Sequence, residues 1–201
     1  MGFRRRPNRP VRGSGPRRIP LAAPPVVRQA LIRADRARIE GAYDEAARIY
    51  KRLADEAYVR GRPRPGIQMD LEAARAWLQE QGFDRAQASV IRALKTAVNG
   101  GALPPGVAAM INRVADAMAA LGSDDQVVEF RRQVDSTLIE HGLAAGDLSA
   151  SPPPPRAEVG GQLPAHCPSC YAPVHSDEVE WAEPGRAQCG YCGTVMLVSE
   201  P

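Results

Sequence analysis

The sequence predicts a mainly α-helical chain that ends in a small β unit built around metal ligands. Three observations carry this reading. Residues 26–142 show helical apolar periodicity, cut into six segments by Gly and Pro. Small and apolar residues recur along them at spacings of 40 and then 41 positions: Ala34, Ala74 and Ala115; Ala46, Ala86 and Val127; Leu53, Ala93 and Val134. Near the C-terminus, Cys167 and Cys170 form one C-x2-C pair and Cys189 and Cys192 form another.

The first segment, residues 1–24, is rich in Arg, Pro and Gly and lacks a hydrophobic period. It cannot bury enough surface to offset its ordering entropy, so a disordered tail is expected. The net charge of +3 hides a split. Residues 1–33 hold nine arginines and no acid, whereas residues 34–201 net −6. Arg4, Arg5, Arg6, Arg9, Arg12, Arg17 and Arg18 suit RNA, DNA or an anionic lipid surface. They serve a solubilising tail equally well, because charge attraction is sequence-independent. No apolar stretch follows them as a signal peptide would require, and no run is long enough to span a membrane. A cytoplasmic, bacterial chain is expected, with the preference for Arg over Lys reflecting a GC-rich genome.

The helical region spans 25–142, and its segments fall near 26–40, 43–60, 68–81, 84–98, 105–121 and 124–141. Gly41, Gly82 and Gly122 divide the members of three pairs, where a left-handed C-cap suits Gly. Pro104 and Pro105 open the fifth segment, and Ser123 with Gln126 forms a capping box for the sixth. Residues 61–66 and 100–105 read as breaks between pairs. Tyr43 and Phe83 stand at the turns of the first two pairs as aromatic wedges.

The run Gly-Ala-Tyr-Asp-Glu-Ala-Ala-Arg-Ile-Tyr at 41–50 resembles the central motif of tetratricopeptide repeats. Gln-Gly-Phe-Asp-Arg-Ala at 81–86 resembles it again, and 122–127 does so more weakly without the aromatic. The chain departs from the family in two ways. Its spacing exceeds the family's ~34 residues, and Tyr58, Val98 and Ile139 occupy the places where the repeats carry Pro. The resemblance implies three stacked helical hairpins, an α-solenoid whose first helices line a groove for an extended peptide. It places Arg28, Asp35, Arg38, Gln68, Arg75, Asn112 and Asp116 in that groove. Each of them serves a merely solvated helix face equally well.

Residues 143–162 form a Pro-rich linker with four consecutive prolines at 152–155, which favour an extended spacer. The last unit spans 163–199. Its two C-x2-C pairs fit a zinc site of four thiolates, Cys167, Cys170, Cys189 and Cys192. Gly193 suits the left-handed turn of the second pair, while Tyr171 stands where many such turns carry Gly. Residues 178–182 and 194–198 alternate as strands, and a type II turn is expected at 183–186. Knuckle, hairpin, knuckle and strand together resemble a zinc ribbon over the whole unit. Four thiolates leave no open position, so a structural zinc is expected, with iron as the chemical alternative because rubredoxins use similar knuckles. His166 and His175 are surplus as ligands and are expected to be exposed.

The ribbon is acidic. Asp177, Glu178, Glu180, Glu183 and Glu200 face Arg186 alone, which disfavours phosphate contacts. A protein surface is the expected partner, with Trp181 or Tyr191 as candidate anchors. Trp181 alternates with Val179 on the inward side, which favours packing for that residue. No P-loop, G-x-G-x-x-G, G-x-S-x-G or H-E-x-x-H pattern appears, and no catalytic constellation is expected. The first reading is therefore a non-enzymatic adaptor of helical platform, flexible linker and zinc ribbon, its two modules binding one or two proteins. A nucleic-acid-associated regulator working through the tail, and an iron electron carrier, are the alternatives.

Overall fold

The computed structural model describes residues 24–101, 103–121, 124–143, 162–176, 179–183 and 185–198. All seven tail arginines lie outside the described residues, as does nearly all of the Pro-rich linker. Six helices run α1 (Pro25–Ile39), α2 (Tyr43–Val59), α3 (Pro63–Gln79), α4 (Phe83–Asn99), α5 (Pro105–Ala119) and α6 (Asp124–Glu140). Each packs on the next, and in addition α3 packs on α5 and α4 on α6. No described helix is long and apolar enough to cross a membrane.

The repeating positions form the seams between helices. Ala34, Ala46, Ala74, Ala86 and Ala93 are fully buried, and Leu53, Ala115 and Val134 nearly so. Side chains this small let helix axes approach closely, and larger neighbours such as Leu31, Tyr50, Leu94 and Phe130 fill the space beside them. Tyr43 and Phe83 pack against this core from the first turns of α2 and α4.

The helix ends follow backbone chemistry. At the end of α1, Gly41 takes φ 80°, and Ala42 N–H donates to Ala37 C=O at 2.8 Å. Gly61 and Gly142 close α2 and α6 in the same way. At the end of α3 the left-handed residue is Gln81, at φ 55°, and Gly82 follows at φ −82° as the N-cap of α4. The expected Gly cap is therefore displaced by one position there, while Gly122 lies outside the described residues. The start of α3 differs from expectation as well. It begins at Pro63, because Pro63 and Pro65 occupy the first turn, where a missing N–H breaks no helical bond.

One polar cluster pins α2, α3 and α4 together. Asp70 is 0% exposed. Arg92 Nε donates to its Oδ2 at 2.7 Å, Arg92 Nη2 to its Oδ1, and the Tyr58 hydroxyl to Oδ2 at 2.8 Å. Arg92 Nη1 also reaches Asp55, and the guanidinium lies 4.9 Å over the Tyr58 ring. Burial is the largest influence on both charges. Even so, the contacts with Asp70 and Asp55 hold Arg92 well above its ordinary pKa, so the guanidinium keeps its proton. The Tyr58 ring occupies the space where a Cβ of residue 66 in α3 would lie, which the bare Gly66 leaves open.

The C-terminal unit is a three-stranded antiparallel sheet of order β1 (Glu180–Glu183), β2 (Arg186–Gln188), β3 (Val195–Leu197). Trp181 pairs with Ala187, and Ala187 with Met196, so these three share the inner face. Gly185 takes φ 76°, as the third position of a type II turn requires. The buried residues of this unit, Cys167, Cys170, Val179, Ala187 and Tyr191 among them, are continuous with the helical core.

Two substitutions test this account. A Cβ at Gly66 would overlap a Tyr58 ring that Asp70 and Arg92 hold in place, so Gly66→Ala is expected to cost roughly 1–3 kcal/mol by overpacking. Gln81→Gly relieves a left-handed residue on the surface and is expected to add roughly 1 kcal/mol. Thermal unfolding of the full chain checks both, with melting temperatures moving in opposite directions.

Candidate metal centre

Each pair of cysteines lies on a tight turn that closes with a left-handed residue. In the first turn Tyr171 N–H donates to Cys167 C=O at 2.8 Å, and Tyr171 sits at φ 65°. In the second, Gly193 N–H donates to Cys189 C=O at 2.9 Å, with Gly193 at φ 75°. The turns are thus equivalent, although the first uses a bulky residue. Stacking of the Tyr171 ring on His166, with centroids 4.5 Å apart, accompanies that strained position.

The four Sγ atoms lie within 4.8 Å of one another. Cys167 stands 3.7 Å from Cys192, and Cys170 stands 3.8 Å from Cys189. A tetrahedron with zinc–sulfur bonds of about 2.3 Å has edges of roughly 3.8 Å, so the donor set fits a tetrahedral thiophilic cation. Among the described residues no His, Asp or Glu joins the cluster as a fifth ligand. Cys167, Cys170 and Cys189 are buried, and Cys192 is partly exposed. Ala172 N–H points to Cys170 Sγ at 3.5 Å, and the Thr194 hydroxyl stands 3.1 Å from Cys192 Sγ, placed to donate to a thiolate.

The electrostatics also favour a cation. Hydrogen bonding within the cluster, first with Cys170, brings Cys167 down to about 6, and hydrogen bonding, first with Cys167, lowers Cys192. The same contact with Cys167 holds Cys170 and Cys189 above the usual thiol range. Sulfurs this close cannot all ionise by themselves, whereas a bound dication stabilises four thiolates together.

The cysteines bring neighbouring residues onto the helices. His175 Nε2 lies 3.0 Å from Glu72 Oε1 on α3. His166 Nε2 stands 3.3 Å from Asp35 Oδ2 on α1, out of line for a hydrogen bond. Both histidines are partly buried contacts between the sheet unit and the helices, contrary to the expected exposed positions. Tyr191 is 5% exposed and lines a cleft of about 560 Å³ with Arg62, Ile67, Gln68 and Leu71. It is therefore not the exposed anchor for a partner that the sequence suggested, because it packs within its own chain. Trp181 is half-buried against the core.

The proposed groove residues divide accordingly. Asp35, Arg38, Gln68 and Arg75 lie where the C-terminal unit packs. Arg38 lines a cleft with Glu72, Arg75, His166 and His175, and Gln68 touches Gly190. Arg28, Asn112 and Asp116 are exposed, and Arg131 on α6 donates to Asn112 at 3.0 Å. Glu72, which the sequence did not single out, is the buried acid at the centre of this contact. Its only sequence signal was an acid on the apolar face of α3.

Comparison with protein-family models, with curated proteins and with solved structures returns no match.

Glu72 gives the contact a pH dependence. It is 3% exposed, and burial alone would raise its carboxyl. The Arg75 guanidinium and the His175 hydrogen bond more than reverse this and hold it at about 2, below an ordinary value of 4.5. A depressed pKa contributes stability that is present above about pH 4.5 and is lost as pH falls toward 2. Glu72→Gln is expected to cost roughly 2 kcal/mol near neutrality. Urea unfolding of both proteins across this range should show the gap between them closing toward the acid end, because metal loss in acid is common to both.

Proposed function

We propose that this chain is a non-enzymatic protein–protein adaptor in which a structural zinc ribbon, residues 163–199, is mounted on a tetratricopeptide-like stack of three helical hairpins, residues 25–142. One observation carries the reading: four cysteine sulfurs within 4.8 Å of one another, with no further donor among the described residues. Cys167, Cys170, Cys189 and Cys192 would hold the ion. Zinc, when bound, supplies a closed tetrahedral shell with no position for water or substrate, which is a structural role. A unit of about 40 residues cannot fold on its own core, so the ion contributes much of its stability. Support for the platform comes from the buried small-residue seams at Ala34, Ala46, Ala74, Ala86 and Ala93.

Zinc is favoured over iron because a d10 ion accepts the tetrahedral set without redox demands. Partners are proteins met by the remaining helix faces, where Arg28, Asn112 and Asp116 are presented.

Elemental analysis of protein isolated under reducing conditions is expected to find one zinc per chain. The double substitution Cys189→Ser and Cys192→Ser should abolish retention while the helical circular dichroism persists. Metal-free protein would overturn the reading, and a red, redox-active protein containing iron would replace it with the electron carrier.

A further inference from the structure

Among the described residues, several contacts between the C-terminal unit and the helices come from the chain around the cysteines. His166, beside Cys167, stands over Asp35 on α1. Gly190 and Tyr191 lie between Cys189 and Cys192. A Cβ on Gly190 would come to 3.0 Å from Gln68 Oε1, so the turn presses its bare backbone onto α3. Tyr191 belongs to one buried core with Ile67 and Leu71 of the same helix and lines a cleft with them. His175 follows the first pair by one short turn and holds Glu72 at 3.0 Å.

Two elements of the helical domain are therefore covered by backbone whose course the converging sulfurs define. The helices have a separate source of cohesion. Their seams are buried helix on helix, and the Asp70, Arg92 and Tyr58 cluster binds α2, α3 and α4 without any residue of the C-terminal unit. Loss of the ion thus removes what shapes the covering unit and leaves what shapes the covered one.

We propose that the metal centre is a latch: with the ion bound, the ribbon covers the α1–α3 face that bears Asp35, Gln68 and Glu72, and loss of the ion uncovers that face while the helices stay folded. The inference rests on the zinc reading above. It also changes what the groove means, because the surface assigned to an extended peptide is filled in cis by the chain's own ribbon. A protein partner for this face must compete with the ribbon, and metal occupancy sets how hard that competition is.

Carboxyl labelling of the full-length, reduced protein at neutral pH tests the latch. A carbodiimide and a small amine are the reagents, mass spectrometry gives the readout, and zinc content is measured on the same samples. In the zinc-loaded protein Asp35, 6% exposed, and Glu72, 3% exposed, should label slowly. After a tight chelator has removed the zinc, both should label on the order of tenfold faster, as expected when a local opening replaces a closed contact. Asp70 is the control. At 0% exposed and away from the ribbon, it should stay protected in both states and so report intact helices. Adding zinc back should restore protection.

Tyr191→Ala keeps all four cysteines. It should retain zinc yet speed the labelling of Asp35 and Glu72, which separates docking from metal binding. Zinc removal that leaves Asp35 and Glu72 protected would overturn the latch, as would simultaneous exposure of Asp70. A starting protein without metal would sink the zinc reading itself, and the latch with it.

Discussion

Four sulfur atoms converge at the C-terminal end of this chain to within a few ångströms, and much of the molecule's organisation follows from the charge problem they create. Left alone, close thiols suppress one another's ionisation, so Cys170 and Cys189 are held protonated while Cys167 and Cys192 lose protons more readily. A thiophilic dication removes the conflict and converts a weakly specified loop cluster into a fixed one. The two turns then aim His166, Gly190 and Tyr191 outward from the centre, and His175 follows on the next turn. The three-stranded sheet adds only a narrow inner face of Trp181, Ala187 and Met196. The unit thus meets α1 and α3 through residues of the cysteine turns more than through the sheet.

The helical part obeys a different economy. With aromatic residues making up only 5% of the chain, close packing comes from alanine seams. Seams of this kind bring backbones near one another but offer little side-chain shape to fix register. The buried charges supply register instead. Asp70 accepts from Arg92 and Tyr58 across three helices, and Glu72 is the corresponding acid on the covered face, shared by Arg75 and His175. The two acids stand two positions apart on α3, about 200° around the helix, so one ties the helix to its helical neighbours and the other ties it to the C-terminal unit.

What could be read from residues alone was whatever has a local cause. The six helices are punctuated by Gly and Pro, the seam positions recur at a fixed interval, and the cysteines announce themselves by spacing. The boundary of α3 was misread because Pro63 and Pro65 look like breakers until their place in a first turn is known. The left-handed cap at Gln81 was hidden by the glycine next to it. The larger gap concerned the long-range contact. His166 and His175 look idle beside four cysteines, Asp35 reads equally as a groove residue or a solvated one, and Glu72 carries only the signal of an acid on an apolar helix face. Only the docked arrangement pairs residues 103 positions apart, and no local pattern encodes that.

The contact between Tyr58 and Gly66 reaches beyond this one sequence. The ring occupies the volume a side chain at 66 would need, and it is anchored at its hydroxyl by Asp70 and on its face by the Arg92 guanidinium. Neither position is free to drift alone. In descendants of this chain, a larger residue at 66 becomes tolerable only after the tyrosine has shrunk, and that loss strands Asp70 with one donor fewer. Substitutions at these three sites are therefore energetically coupled, and the order in which they are made matters as much as their identity.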